Sequence, residues 1–432
     1  MKLTKNMSQV ELKKSKEDVT ARMGLSFVEH CLRHYGLAEM VKKIFSDERG
    51  SNREIEAYRK IMGGAMTRIA GGERIEDIEV IRKDEGLKNS LGWESIISPD
   101  TLIEFIKDKE GGDKSEKVNE AMVIKAIKEC EEGEFTYDND ATYFDSDKRS
   151  TNYSYQGEKQ FSGLLGFIAE IGICNTVSFR RGNVSPQEGI YEQLEEAIQQ
   201  VKEAGKRIRR FRSDSAGQQN KIFQLCNKER VEYYISLDKN EAVKVCIRGI
   251  KEKEWKPLTG RYQDQLAKEW AETVYVTEKG ISMRMLVMRW ANPDPRLFDE
   301  SPFCHHAIST NNNEIEGMEW LEVHNGRMNS ENYNKEIKGG FGNDYAPSHE
   351  FEINRGYFLI GVLAYNMLQI MKLFYLGKEH LSWTIKTIRF RFINVCGKII
   401  LTGRKYICKI INVTDEIFEL FRNCKSRLII VG

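Results

Sequence analysis

His324, Arg327, Glu331 and Lys338 recur at three-, four- and seven-residue steps. On a helix turning about 100° per residue they fall within roughly 60° of arc, so one carboxylate projects among cationic groups. An acid that can hold a divalent metal, beside groups that can hold a polyanion, is the mixture a phosphate-processing site needs. Two further acids stand upstream at expected strand ends, Asp140 in Asp138-Asn139-Asp140-Ala141-Thr142 and Asp214 in Arg212-Ser213-Asp214-Ser215-Ala216. Cleavage of a phosphodiester by two ions about 3.5–4 Å apart needs carboxylates that converge from separate elements, and Mg²⁺ favours oxygen ligands. Asp138 and Asp140 share a strand face, and Asp140 is nearer the strand's end. Plainer readings exist for each group. Asp214 before Ser215 could cap a following helix, and the stripe around Glu331 could be a solvated face of weak ion pairs.

Positioning such groups requires rigid strands and one helix. Phe135 to Thr142 alternates like a strand, Phe161 to Val177 is rich in strand formers, and Gln187 to Ala204 reads as an amphipathic helix. A strand at 208–214, a helix at 218–229 and a strand at 231–237 follow. The pattern is mixed α/β, with several strands before the first crossover helix. From 238 to 313 the chain reads as a strand-rich insertion, with a hairpin expected around Glu278-Lys279-Gly280. Residues 1–115 read as helical. A polar linker with Gly111-Gly112 is expected over 107–117. The segment 378–409 is basic, with Lys386, Arg389, Arg391, Lys398, Arg404, Lys405 and Lys409 against Glu379 alone.

The 432 residues carry a net charge of +1, a balance that leaves nucleic acid open as a partner because binding depends on local patches. Nine dispersed cysteines without a Cys-x-x-Cys pair suggest reduced thiols in the cytoplasm. No secretory signal is visible. The apolar run from Tyr357 to Leu376, interrupted by Asn366, Gln369 and Lys372, is expected to be a buried core helix rather than a membrane span. Cys304-His305-His306 lacks a second ligand pair at zinc spacing. The cluster Lys206, Arg207, Arg209, Arg210 and Arg212 leads into Asp214 and is expected to meet a nucleic-acid backbone.

Several of these motifs, in this order, resemble the DDE transposases of bacterial insertion sequences, specifically the IS1380-like group related to IS4-type enzymes. The matching segments are Gly71-Gly72 through Asp77, Ser98-Pro99-Asp100-Thr101, Asp138 to Thr142, Leu164-Leu165-Gly166-Phe167, Arg181-Gly182-Asn183, Arg212 to Ala216 and Leu363-Ala364-Tyr365-Asn366. The stretch from His324 to Lys338 matches the Tyr-x2-Arg-x3-Glu-x6-Lys signature except at its first position, where histidine replaces tyrosine.

The resemblance implies an RNase H-like catalytic core (116–237 and 314–377) interrupted by a β-rich insertion (238–313). A helical N-terminal DNA-binding domain (1–115) and a basic C-terminal region (378–432) flank it. It implies that Asp140, Asp214 and Glu331 are catalytic and hold two Mg²⁺ ions, with Mn²⁺ able to substitute. Arg327, Lys338 and His324 would contact phosphates of the cleaved end. Arg210 and Arg212 are expected at the DNA backbone, and Trp290 would stack on a flipped base. The expected partner is double-stranded DNA, both terminal inverted repeats and target, held by a homodimer in a synaptic complex and away from any membrane. The expected location is the bacterial cytoplasm, on the nucleoid when DNA is bound. Two other readings are a transposase-derived DNA-binding protein without catalysis and a non-mobile nuclease with the same core.

Overall fold

The computed structural model describes residues 10–14, 17–46, 51–259, 267–294 and 301–430. Seven helices come first: α1 (Met23–His34), α2 (Leu37–Ile44), α3 (Ser51–Ala70), α4 (Ile78–Arg82), α5 (Glu85–Leu91), α6 (Pro99–Lys107) and α7 (Lys109–Glu129). The Ser98 hydroxyl caps α6 by accepting from Thr101 N at 3.2 Å, as its Ser-Pro-Asp start predicts. The linker expected at 107–117 is instead the end of α6 and the first part of α7, which also spans residue 115. Local propensity argued for a break at Gly111-Gly112. Packing overrides it: a Cβ on Gly111 would lie 2.9 Å from the Phe105 carbonyl oxygen.

The strands and helices that follow are β1 (Glu134–Asp145), β2 (Asn152–Tyr153), β3 (Lys159–Ile168), β4 (Ile173–Arg181), α8 (Ile190–Glu203), β5 (Arg207–Ser213), α9 (Asn220–Glu229) and β6 (Glu232–Leu237). Next come α10 (Glu241–Arg248), β7 (Lys256–Pro257), β8 (Glu269–Val276), β9 (Ser282–Ala291) and β10 (Phe303–Thr310). One sheet of ten strands runs β2-β3-β1-β5-β6-β10-β9-β8-β7, with β4 on β3. β5 lies parallel to both β1 and β6, whereas β3 and β10 are antiparallel to their neighbours. The hairpin expected around Glu278-Lys279-Gly280 is β8–β9, and Gly280 has φ +75° in the turn.

The chain then forms α11 (Gly317–Asn325), α12 (Met328–Lys335), a π-turn at Glu336–Gly340, α13 (Phe351–Ile370) with a π-helical extension Met371–Leu376, α14 (Ile385–Ile388), β11 (Gly397–Thr402), β12 (Lys405–Ile410) and α15 (Asp415–Ile430). The single regular helix expected from His324 to Lys338 is therefore three pieces.

α13 is the central post of the molecule, buried along almost its whole length. Together with its extension, Phe351–Leu376, it is long and apolar enough to cross a membrane, yet 94% of its most apolar stretch is buried within the protein. Each of its polar interruptions has an internal hydrogen-bond partner. Asn366 accepts from Cys174 N at 2.9 Å and donates to Asn119 Oδ1 at 2.7 Å, Gln369 donates to Gly172 O at 3.0 Å, and Lys372 donates to Trp383 O at 2.9 Å. A second, smaller core of Tyr234, Leu258, Leu286, Ile308, Ile315, Trp320 and Leu321 seats α11 on the insertion strands.

Candidate active site

Alternation along β1 sends Tyr137 and Asn139 to one side of the sheet and Asp138 and Asp140 to the other. On the first side, Asn139 Nδ2 donates to Gln193 Oε1 of α8 at 2.7 Å. On the second, the two aspartates separate in role. Asp138 is fully buried and receives two hydrogen bonds from Arg212 on β5, Nε to Oδ1 at 2.6 Å and Nη2 to Oδ2 at 2.7 Å. Burial pushes its carboxyl up to about 6 despite that partner. Asp140 keeps 17% of its side chain exposed and faces α12.

Four groups act on Asp140. Asn334 Nδ2 donates to its Oδ2 at 3.0 Å, and Arg327 Nη1 lies 3.7 Å from its Oδ1. Burial pushes the carboxyl up to about 6, and the negative charges of Asp214 and Glu331 push the same way against the pull of Arg327. Acids from β1, the end of β5 and α12 therefore share one electrostatic environment, although 74 and 117 residues separate them in pairs (140 to 214, 214 to 331). Asp214 also performs the plainer role, its Oδ1 accepting from Ala216 N at 2.9 Å to cap the turn Ser215–Gly217. Glu331 is 43% exposed, and its Oε1 lies 3.3 Å from Arg327 Nη2 one helical turn away.

Among the described residues, no three His, Cys, Asp or Glu side chains are drawn close enough to enclose an ion. The donors are nonetheless all carboxylate oxygens, the set a hard divalent cation takes. The Arg327 guanidinium stands between two of them as a cation. Residues and charge thus fit a metal of the Mg²⁺ class, with Asp140 and Glu331 held on an arginine rather than gathered.

Other expected site residues lie in different settings. Lys338, in the π-turn, donates from Nζ to Tyr143 O on β1 at 2.6 Å and sits 5.3 Å from the Phe144 ring centroid. His324 is a correction: it is 5% exposed, with Nε2 3.1 Å from Ser236 Oγ and its ring 5.9 Å from that of His306. Burial, His306 and Arg327 hold its pKa down to about 3, so the ring is neutral and cannot offer charge to phosphate. Arg212 is a second correction, since the guanidinium that binds Asp138 also donates to Val323 O at 2.9 Å and the residue is 8% exposed. Arg210 is half-buried and lies 3.4 Å from Glu232. Its neighbours Arg207 and Arg209 pair with Glu134 and Glu232, so most of the basic cluster is neutralised locally. Trp290 is the penultimate residue of β9, half-buried, opposite Cys304, with Lys268 Nζ 5.4 Å from its ring centroid. His305 and His306 alternate across β10 and assemble no metal cluster among the described residues.

Sequence reasoning missed Asn334 and Gly326. Asn334 sits three residues beyond Glu331, on the same helical stripe, so the spacing that selected Glu331 would also have selected it. Gly326 joins α11 to α12, and a Cβ there would lie 2.0 Å from Arg212 Nη1. Only the fold reveals that neighbour.

No curated protein sequence matches the chain. Among solved structures it is similar to the piggyBac transposase in a synaptic complex with hairpin DNA, at 9% identity and a TM-score of 0.43, over 86% of this chain and 79% of that one. The family model described as "Transposase DDE domain group 1" matches residues 2–428. Spanning nearly its whole length, that match shows that the chain belongs to the DDE transposase family.

Proposed function

We propose that this protein is a cut-and-paste DNA transposase of the IS1380-like group, built on an RNase H-like core, that binds the terminal inverted repeats of its element. The observation that carries the proposal is that Arg327 stands against both Asp140 and Glu331, while the charge of Asp214 also reaches Asp140. The strand order β4-β3-β1-β5-β6, with β1, β5 and β6 parallel, supports the core assignment. The family match over residues 2–428 supports the reaction class.

In this reading Asp140, Asp214 and Glu331 would hold two Mg²⁺ ions, or Mn²⁺ in their place. Divalent ions at such a site supply an activated water or hydroxyl and neutralise charge developing at phosphorus. The chain's own residues do the rest. Asn334 fixes one oxygen of Asp140, leaving the other turned to the site. The Asp138–Arg212 pair holds β1 against β5 and fixes the C-terminal end of α11. Arg327 is the residue placed to exchange its carboxylate partners for a DNA phosphate when the acids gather, a bidentate contact that arginine makes well. Lys338 fixes the π-turn to β1 and lends positive charge nearby. Cleavage at the element's end would free a 3′-hydroxyl, and that hydroxyl would attack target DNA at the same site. Both displacements depend on positioning and charge stabilisation rather than on a protein nucleophile. Joining two ends calls for a homodimer holding both, in the bacterial cytoplasm on the nucleoid.

The test is Mg²⁺-dependent nicking and joining of a labelled duplex carrying the inverted repeats that flank this reading frame. Wild type should cut at the repeat end and join it to a target. Asp214→Asn and Glu331→Gln should bind the duplex and do neither. Cleavage retained by both variants would overturn the site assignment.

A further inference from the structure

β11 and β12 form a sheet of their own, outside the ten-stranded one. The ribbon's root is fixed. Thr20 and Gly397 exchange backbone hydrogen bonds at 3.0 and 2.9 Å, Ile411 N donates to Cys396 O at 2.8 Å, and the Thr20 hydroxyl donates to Asp84 at 2.7 Å. Beyond the root the ribbon leaves the body of the protein: every residue from Leu401 to Lys409 is exposed. Its tip is a two-residue turn in which Gly403 has φ +53° and Arg404 φ +65°. Two positive φ values mark a type I′ turn, matched to strand twist, and arginine is an unusual choice for the second.

Register sorts the ribbon into two faces. Lys398 stands opposite Lys409, Ile400 opposite Ile407 and Thr402 opposite Lys405, all on one side. Ile399 opposite Cys408 and Leu401 opposite Tyr406 form the other, with Leu401 64% and Tyr406 78% exposed. Like charges paired across strands repel, and exposed apolar pairs at a tip gain nothing from water. An isolated two-stranded hairpin is only marginally stable in water. These residues are thus poorly chosen for a free ribbon and well chosen for a polyanion. No acidic residue occurs between Glu379 and Asp415.

We propose that the β11–β12 ribbon is a double-stranded DNA-binding arm. Lys405, Lys409 and Arg404 contact phosphates, while Leu401 and Tyr406 pack on sugar and base edges. B-DNA's major groove, about 12 Å wide, admits a two-stranded ribbon. Lys405 and Lys409 lie about 13 Å apart along their strand, enough to reach backbones on both sides of the groove. A second copy of this chain is the poorer occupant, because a two-fold contact would press this cationic ribbon against itself. The proposal rests on the transposase reading only for its choice of DNA.

The test uses the full chain and the flanking-repeat duplex, with affinity measured by fluorescence anisotropy from 50 to 300 mM salt. Arg404→Gln/Lys405→Gln/Lys409→Gln should weaken binding about tenfold or more at physiological salt. It should also reduce the slope of log affinity against log salt by about one per cation removed. Melting temperature should be unchanged, since all three positions are exposed. Leu401→Ser/Tyr406→Ser should weaken binding with little change in slope. Unchanged affinity and slope in the triple variant would overturn the proposal. So would a Leu401→Ser/Tyr406→Ser variant that alters oligomeric mass by light scattering while leaving DNA affinity intact, since the partner would then be a second copy. A wild-type chain that binds this DNA through the ribbon but never cuts it would sink the transposase reading and leave the arm standing.

Discussion

Arg212 of β5 grips Asp138 of β1 through two hydrogen bonds of 2.6 and 2.7 Å in the protein interior, directly beside the strand position that carries Asp140. This pair decides which of two neighbouring acids is available. Asp138 is neutralised and enclosed, so Asp140, two residues on, is the one left facing α12. Removing one member of a buried pair strands the other charge, typically at a cost of about 3–5 kcal/mol. Arg212→Ala should therefore lose about that much stability in urea unfolding. Arg212→Lys should recover only part of it, because a lysine cannot make the two-pronged contact.

Gly326 lies against the same arginine, and a methyl group there would come within 2.0 Å of Nη1. The guanidinium cannot easily retreat, being tied to Asp138 and to Val323 O. Gly326→Ala should cost about 1–3 kcal/mol by overpacking, despite the usual helix benefit of alanine. Equilibrium unfolding of this variant, compared with Gly339→Ala where a Cβ meets nothing within 4 Å, checks the claim.

Asp140 is an acid in an electrostatically unfavourable place. Burial and the charges of Asp214 and Glu331 raise its carboxyl to about 6. Raised above its unfolded value near 3.8, the group is protonated more readily in the folded chain. Stability from it is therefore present at low pH and lost as pH rises from about 4 to 6. Asp140→Asn should stabilise the metal-free protein at pH 7 by about 1–3 kcal/mol while abolishing cleavage. A lower melting temperature for this variant would contradict the electrostatic picture.

The same raised carboxyl predicts how divalent ions bind. Protonation of Asp140 would compete with a metal held there, so Mn²⁺ affinity measured by calorimetry should fall as pH drops through about 6. His324 contributes nothing to that profile, because its ring stays neutral down to about 3. His324→Gln should leave the shape of the curve between pH 5.5 and 7.5 unchanged (a window chosen around ~6.5, the ordinary histidine value).

Much of this arrangement could be read in the residues before any coordinates. Alternation from Phe135 to Thr142 put Asp138 and Asp140 on one face, and helical spacing put Arg327 and Glu331 together, because both patterns are local. The choice between the two aspartates was not local, since it depends on an arginine 74 positions away in sequence. His324 was misread because the stripe was extended through Gly326, where the helix breaks and turns the ring towards Ser236. The basic cluster at 206–212 looked like a DNA surface because Glu134 and Glu232, its strand neighbours, lie far from it in the chain or beyond it. The 107–117 segment was misread for a related reason: two glycines weaken a helix that neighbouring packing restores.

The central claim is that acids from β1, the end of β5 and α12 close on divalent ions when DNA is present. Mn²⁺ binding followed by electron paramagnetic resonance, on wild type and on Asp140→Asn, Asp214→Asn and Glu331→Gln, each with the repeat-end duplex, tests it most directly. Wild type should immobilise Mn²⁺, and each single variant should lose all or most of that binding. Binding of undiminished strength in the three variants would contradict the account.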